Sequence, residues 1–112
     1  MLAKKFRLKE RGDFRRIYQR GRSLACPYFV VYYRSSRSPE PRLGFSVSKK
    51  LGNAVTRNRQ RRRLAELCRL NLELFAPNRD YVFIIRNQMK RATYSQLEAA
   101  LHKTMAQLGG KS

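Results

Sequence analysis

The sequence predicts a small α+β domain with the element order helix, strand, strand, strand, helix, strand, helix. Segments rich in aromatic and β-branched residues are typical of strands, and they alternate with segments whose apolar residues recur at helical spacing. The length of 112 residues suits one compact domain, and no internal repeat or long linker divides the chain. We therefore expect a single domain over 1–112, with 1–6 and 109–112 as flexible ends.

The first helix is expected over 10–21. Phe14, Ile17 and Tyr18 follow the i, i+3, i+4 spacing of one helical face. Asp13 is a candidate cap at the start, because a short acidic side chain accepts hydrogen bonds from the free amides there. A glycine ends the segment, and most of the other side chains on the helix are basic.

Three strands are expected after this helix and a fourth strand later in the chain. Residues 23–26 are expected to be extended, and 28–34 form a run of aromatic and β-branched side chains. A turn rich in serine and proline precedes 42–48, whose apolar side chains alternate with small or polar ones. Residues 81–86 are apolar on both faces, as in a strand inside a sheet. On the third strand, the side chains expected to face a core are Leu43, Phe45 and Val47.

Two longer helices complete the predicted fold. One is expected over 56–75 and ends before a proline. Its apolar face carries Leu64, Leu67, Cys68, Leu72 and Phe75. The other helix is expected to begin at Thr93 or Ser95 and to end near Leu108, and Ser95 with Glu98 forms a candidate capping box.

Net charge is the strongest compositional signal. Lys and Arg number 26 against 7 Asp and Glu, which leaves a formal charge of +19 and a pI near 11.3. Such self-repulsion destabilises a compact chain, so a polyanionic partner such as nucleic acid is expected. No apolar run reaches the roughly 18 residues of a membrane span, and no secretory signal pattern follows the basic start. With two cysteines far apart in the chain, we expect reduced thiols and a cytoplasmic protein without membrane association.

The densest basic segment extends from Lys49 to Arg63 and holds seven basic residues and no acid. A solvated helix face is the alternative interpretation, but such faces usually interleave acids with bases at helical spacing. The arginines surround the first turns of the predicted helix, whose free amides also favour phosphate. Arginine further suits forked phosphate contacts and stacking on bases. The segment is therefore expected to contact nucleic acid.

Aromatic and small polar side chains form a second candidate surface. Its members are Phe14, Tyr18, Tyr28, Tyr32, Ser46 and Ser48. Beside basic residues, an aromatic shelf of this kind seats unpaired bases by stacking. Spacing alone favours a core role for these aromatic side chains, so both interpretations stay open at this point.

A catalytic centre within the protein is not expected. A hydrolase needs clustered acids, a metal constellation or an activated nucleophile, whereas the seven acids are scattered along this chain. His102, the single histidine, is expected in a helix and at the surface. No spacing typical of a zinc site and no glycine-rich phosphate loop occurs.

The segment 49–62 has the sequence KKLGNAVTRNRQRR. This stretch, with its Arg-Asn-Arg centre, resembles the signature of the bacterial ribonuclease P protein family. The resemblance covers most of the chain and includes parts of 7–21, the strand and lysines of 42–50, and 93–94. It implies one mixed sheet in which a left-handed crossover joins the parallel strands around the signature helix, against the usual right-handed rule.

The resemblance implies a protein that binds a large catalytic RNA, with which it removes the 5′ leader of precursor tRNA by hydrolysis. In this family the RNA holds the catalytic Mg²⁺, so the protein alone is expected to be inactive. The implied partners are the ribonuclease P catalytic RNA, at one protein per RNA, and precursor tRNA. The protein is expected to lower the Mg²⁺ requirement and to favour precursor over mature tRNA.

By position, the resemblance assigns two sets of contact residues. The catalytic RNA is expected to contact Lys49, Lys50, Asn53, Arg57, Asn58, Arg59, Arg61, Arg62 and Arg63. The single-stranded leader is expected in a cleft between the first helix and the sheet, lined by Phe14, Tyr18, Tyr32, Arg42, Ser46 and Ser48. Tyr18 stands where many relatives carry phenylalanine, and Ala65 stands where a basic residue is common.

Two other classes of function stay open on the residues alone. A basic ribosomal or RNA-chaperone protein explains the charge equally well, but such a protein has no use for an aromatic cleft. A nuclease that acts without RNA would need a protein active site, which the scattered acids disfavour.

Overall fold

A computed structural model describes residues 2–9 and 11–109 of the chain. Within those residues the helices are α1 (Arg11–Arg20), α2 (Ala54–Leu70) and α3 (Tyr94–Gly109). The strands are β1 (Arg22–Ala25), β2 (Phe29–Ser35), β3 (Arg42–Val47) and β4 (Arg79–Ile85). The predicted α+β class and the predicted order of helices and strands are confirmed.

The four strands form one mixed sheet in the order β1-β2-β4-β3. β1 and β2 follow each other closely in the chain and pair antiparallel. β3 and β4 are parallel, so the chain has to cross over between them, and α2 lies in that connection. The pairing does not specify the hand of that crossover, so its left-handed sense stays a prediction.

The two faces of the sheet are covered unequally. One face packs against apolar side chains of α2 and α3 in the main core, where Leu64, Leu67, Leu101 and Met105 are all buried. Within the described residues, the other face carries α1 and Leu8 of the N-terminal segment, and Ile17 of α1 forms a smaller cluster with Leu8 and Val82. Because a ten-residue helix spans only about 15 Å, much of this second face is left open.

The predicted alternation along β3 is confirmed for its apolar side chains. Leu43 is buried in the main core, and Phe45 and Val47 pack against that core. Gly44, which alternates with these side chains, points away from the main core and is buried beneath α1. The face opposite the main core is thus partly occupied rather than free.

Two helix ends differ from the prediction. α2 stops at Leu70, and Phe75, predicted to be its last residue, follows a separate 3₁₀ turn while remaining buried. The capping box of α3 is Thr93 with Gln96 rather than Ser95 with Glu98. The backbone N–H of Thr93 donates to the Gln96 side chain at 3.0 Å, and the N–H of Gln96 donates to the Thr93 hydroxyl at 3.1 Å.

The N-terminal part of the chain also differs from the prediction. Asp13 lies inside the first turn of α1 instead of capping it, and residue 10, the expected first residue, lies outside the described residues. Leu2, in the segment expected to be a flexible end, is buried in the main core. Residues 110–112 of the other expected end are not described. Among the described residues, no helix has the length and apolar character needed to cross a membrane.

Candidate nucleic-acid interface

The basic segment of the sequence forms the start of α2 and the turn before it. Two polar side chains accept hydrogen bonds from backbone N–H groups in this region. Ser48 Oγ accepts from the backbone N–H of Lys50 at 3.2 Å, and Asn53 Oδ1 accepts from that of Thr56 at 2.9 Å. Gly52 adopts a φ of 150°, a value that other residues disfavour. Asn53 is thus the N-cap of α2, and its RNA contact stays a prediction.

The exposed and half-exposed basic residues of this region are called the basic helix surface: Lys49, Lys50, Arg57, Arg59, Arg61 and Arg62. Asn58 lies among them and accepts a hydrogen bond from Arg61 at 2.6 Å. The first acid on α2 is Glu66, which already pairs with Arg69 one turn further along. That pairing lowers the pKa of Glu66 to about 2. Acids of α2 therefore do not neutralise the basic helix surface.

Arg63 is turned into the protein, unlike its neighbours. Its guanidinium donates to the Gln60 side chain at 2.8 Å, to the backbone oxygen of Met89 at 3.0 Å, and to that of Ala92 at 2.6 Å. These bonds attach α2 to the segment between β4 and α3. Arg63 therefore has a structural role that the sequence did not predict, and its RNA contact stays a prediction.

A cleft opens between α1 and the uncovered face of the sheet. Tyr18 and Tyr32 meet edge to face, with ring centroids 5.2 Å apart and planes at 79°. Tyr18 remains 39% exposed, so part of its ring is available for stacking. Burial of the rest raises the pKa of its hydroxyl, which lies within hydrogen-bonding reach of Ser46. Tyr28, grouped with these rings by sequence, instead packs against the main core.

Phe14 lies at the other end of the cleft, directly on β3. A Cβ atom at Gly44 would lie only 2.4 Å from the Cζ atom of Phe14, so glycine is needed for the ring to rest on the strand. Phe14 and Tyr32 are half-buried against the small cluster formed around Ile17. Phe14 and Tyr32 therefore agree in part with a core role and in part with a cleft role, because their rings pack against the small cluster and also border the open cleft.

Two of the predicted cleft residues have structural partners of their own. Arg42 forms a bidentate ion pair with Asp80, at 2.8 and 2.7 Å, and this hydrogen bonding raises the pKa of its guanidinium. The strand register places these two residues opposite each other, and Asp80 is buried. Ser48 caps the turn before α2 instead of continuing β3. Both therefore have structural roles, and their contacts with the leader stay predictions.

Sequence reasoning missed three basic residues beside the cleft. Lys9, Arg11 and Arg15 line a cavity of about 360 Å³ together with Phe14 and Tyr18. The spacing of Arg11, Arg15 and Tyr18 at i, i+4 and i+7 marks one helical face and could have identified two of them. Their charges therefore lie beside the aromatic rings of the cleft.

An apolar cavity of about 620 Å³ connects the cleft to the basic helix surface. Phe14 and Gly44 form its wall on the cleft side, and Arg61 and Arg62 form its rim on α2. The N-terminal segment closes it with Leu2 and Leu8, and a backbone bridge joins that segment to β3. The aromatic cleft and the arginine-rich helix are therefore parts of one continuous surface.

The carboxylates near this surface are engaged by arginines. Asp80 pairs with Arg42, and Asp13 lies 3.9 Å from Arg16. Within 2–9 and 11–109, no three histidine, cysteine, aspartate or glutamate side chains lie together as a group that could hold a metal ion. The surface offers cationic and aromatic groups, and such groups bind nucleic acid by phosphate contact and base stacking.

Comparisons with known proteins agree with this chemistry. The family model described as Ribonuclease P matches residues 2–109. The ribonuclease P protein component of Clostridioides difficile is 44% identical over 95 residues, which cover 84% of this chain and 83% of that protein. The one from Carboxydothermus hydrogenoformans is 50% identical over 91 residues, covering 79% and 78%.

Solved structures show the same architecture. The Staphylococcus aureus RNase P protein superposes with a TM-score of 0.81 at 36% identity, covering 92% of this chain and 94% of that one. The Thermotoga maritima RNase P protein also gives 0.81, at 31% identity, covering 90% and 96%. Since the family model matches nearly the whole chain and close relatives share both length and fold, this chain belongs to the ribonuclease P protein family.

Proposed function

We propose that the protein is the RNA-binding subunit of a ribonucleoprotein endoribonuclease that removes the 5′ leader from precursor tRNA. The observation that carries this proposal is the continuity of two surfaces, an arginine-rich helix and an aromatic cleft, around one apolar cavity. A general RNA-binding module needs only the first surface. A protein that holds a catalytic RNA and a single strand at the same time needs both.

The basic helix surface is proposed to contact the catalytic RNA. Arg59 and Arg62 are exposed and have no ion-pair partner within the described part of the chain, so phosphates would neutralise them. The first amides of α2 add a partial positive charge at the same end. Neutralising phosphates in this way stabilises folded RNA, and so the protein is expected to lower the Mg²⁺ concentration that the RNA requires.

The aromatic cleft is proposed to hold the single-stranded leader. Tyr18 and Tyr32 present ring faces and edges to bases, and Ser46 supplies a hydroxyl beside them. Arg11 and Arg15 would lie along the phosphates. Because mature tRNA lacks the leader, these contacts favour the precursor over the product.

Hydrolysis itself is proposed to take place on the RNA subunit. Bound to that RNA, Mg²⁺ would activate the attacking water and stabilise the leaving oxygen. The carboxylates beside the protein cleft are held in ion pairs with arginines, so the donor set of the protein fits phosphate better than Mg²⁺. The protein contributes by binding and orienting the leader. We further propose that one protein binds each RNA and that the complex is cytoplasmic.

The proposal is tested by cleavage of a 5′-extended precursor tRNA at low millimolar Mg²⁺. Three mixtures are compared: protein alone, a bacterial ribonuclease P RNA alone, and both together. Cleavage at the mature 5′ end only in the combined mixture supports the proposal. Cleavage by the protein alone, or no enhancement despite tight RNA binding, contradicts it.

Variants separate the two surfaces. Replacing Arg59 and Arg62 with glutamine should weaken binding to the catalytic RNA and lower its log-log salt slope by about 0.7 to 0.9 for each lost phosphate contact. Tyr32→Ala should weaken precursor binding and spare mature tRNA, with a loss of about 1–3 kcal/mol for one stacked base. Lys103→Gln, an exposed charge on α3, is the control that should change neither. Equal weakening of precursor and mature tRNA by Tyr32→Ala would argue against a leader cleft.

A further inference from the structure

Four arginines from four different elements surround a cavity at one end of the sheet. We call this cavity, of about 400 Å³, the arginine pocket. Its lining consists of Arg20, Arg22, Arg34 and Arg79 together with Tyr33 and Ser35. They come from the end of α1, the start of β1, the end of β2 and the start of β4. Neither the basic helix surface nor the cleft includes any of them.

Backbone geometry brings these side chains together. Arg22 lies opposite Tyr33 in the β1–β2 ladder, and Ser35 lies opposite Arg79 in the β2–β4 ladder. Gly21 allows the tight passage from α1 into β1, because a Cβ atom there would lie 2.5 Å and 2.8 Å from two backbone oxygens. The arginines are thus placed side by side by strand register and one glycine.

Among the described residues no carboxylate lines this pocket, and Arg34 alone of its arginines lies opposite an acid, Asp80, in a strand ladder. Over 2–9 and 11–109, none of its four arginines forms an ion pair. The Arg79 guanidinium instead lies 5.6 Å from the centre of the Tyr33 ring. In the adjoining cavity, which Arg34 also lines, Asp13 and Asp80 form ion pairs with Arg16 and Arg42. Four like charges around one cavity repel each other, and a bound polyanion would relieve that repulsion.

The pocket is remote from the start of α2 and close to the cleft. β3 and β4 are parallel, so both begin at the same end of the sheet, and the pocket lies at that end because Arg79 is the first residue of β4. α2 starts at the opposite end, because it follows the end of β3. Seven residues of β4 correspond to a separation of roughly 20 Å. Tyr18 and Tyr32 are nearer, because Arg20 and Arg34 follow them by two positions on α1 and β2.

We propose that the arginine pocket binds phosphates of the RNA leader, at nucleotides further from the cleavage site than those held in the aromatic cleft. This inference rests on the proposed function of the cleft. A single strand that leaves the rings of Tyr18 and Tyr32 past the end of α1 meets Arg20 and Arg22 next. Phosphate contact there carries no base preference, so the pocket extends the leader site without adding sequence specificity.

The test compares the variant Arg20→Gln/Arg22→Gln with the control Lys4→Gln/Lys103→Gln. Both variants lose two charges from exposed positions, but only the first pair lines the pocket. Holoenzyme made with each is titrated against precursor tRNAs whose leaders are lengthened one nucleotide at a time. Binding of each protein to the catalytic RNA alone is measured in parallel.

For short leaders, the pocket variant should bind as tightly as wild type. Beyond a threshold length, its affinity should fall on the order of tenfold at low salt, with the log-log salt slope lowered by about 1.4 for two single-strand contacts. A loss that is independent of leader length, or a loss against catalytic RNA alone, would overturn the inference. If wild type itself shows no leader dependence, the proposed function fails; if only the variant shows no effect, the pocket assignment alone fails.

Discussion

Arg63 offers a sharp test of how the structure divides one run of arginines between folding and binding. Arg62 and Arg63 are adjacent in sequence and chemically identical, but Arg62 is exposed and Arg63 donates three hydrogen bonds inside the protein. Replacing each with alanine keeps the helix propensity matched between the two variants. Differences between the variants therefore report on the contacts alone.

The expected loss of stability follows from the hydrogen-bond acceptors that would lose their donor in Arg63→Ala. Two buried acceptors depend on this guanidinium, the backbone oxygen of Ala92 and the side-chain oxygen of Gln60, in residues with exposed fractions of 7% and 5%, whereas the Met89 oxygen also accepts from the backbone N–H of Ala92 at 3.1 Å. Each buried acceptor without a partner costs about 1–3 kcal/mol, and water entering the vacated space recovers part of that cost. We expect a loss of about 2–3 kcal/mol in the free energy of unfolding, which corresponds to a fall in Tm of roughly 8–12 °C for a domain of this size.

The assay is urea unfolding followed by circular dichroism, with salt-dependent RNA binding measured on the same proteins. Arg63→Ala should lower the unfolding midpoint and leave the salt slope unchanged. Arg62→Ala should do the reverse, with a slope lowered by about 0.7 to 0.9. Equal unfolding midpoints for the two variants would refute the structural role of Arg63.

Three further predictions concern the fold around the candidate site. Gly21→Ala should destabilise the protein by more than the cost of an ordinary surface substitution in thermal unfolding, because its Cβ would meet two backbone oxygens at 2.5 and 2.8 Å; an unchanged Tm would contradict this. Asp80→Ala should lower the free energy of unfolding by about 1–3 kcal/mol, which is less than for a fully buried ion pair because Arg42 is partly exposed. Urea unfolding of Asp80→Ala, Arg42→Ala and the double variant would show whether the two residues are coupled. Glu66 has its pKa lowered to about 2 by Arg69, so its stabilising contribution should be complete above its unfolded pKa of about 4.3 and disappear as the pH falls toward 2. Unfolding of Glu66→Gln should then depend less on pH across that window than wild type, and equal dependence would be evidence against the pair.

Much of the fold could be predicted because its signals are local. The strand of 42–48 alternates visibly, and Asn53 precedes a helix at a position where asparagine is a strong cap. Where the prediction was wrong, two local signals competed. Ser95 and Glu98 match the capping-box pattern, but Thr93 and Gln96 match it too, and the helix begins at the first pair.

The residue types of the candidate site could be predicted from the sequence, but the positions of their side chains in space could be predicted only in part. Phe14, Tyr18, Tyr32 and Ser46 do converge beside α1, as the family resemblance implied. Arg42 lies on the same face of the sheet, but a carboxylate 38 positions later in the chain holds its guanidinium in an ion pair. No pattern within a window of sequence contains both partners of that ion pair.

By itself the sequence determined the charge, the class of partner, the order of the elements and, through the motif of 49–62, the family. Each of these depends on residue types or on short periodic spacing, which the chain carries before it folds. Only the tertiary structure decided which arginines are exposed to solvent and which hold the protein together. The inward turn of Arg63 and the convergence of Arg20 and Arg79 depend on strand register and helix rotation, and these are set by packing between segments far apart in the chain.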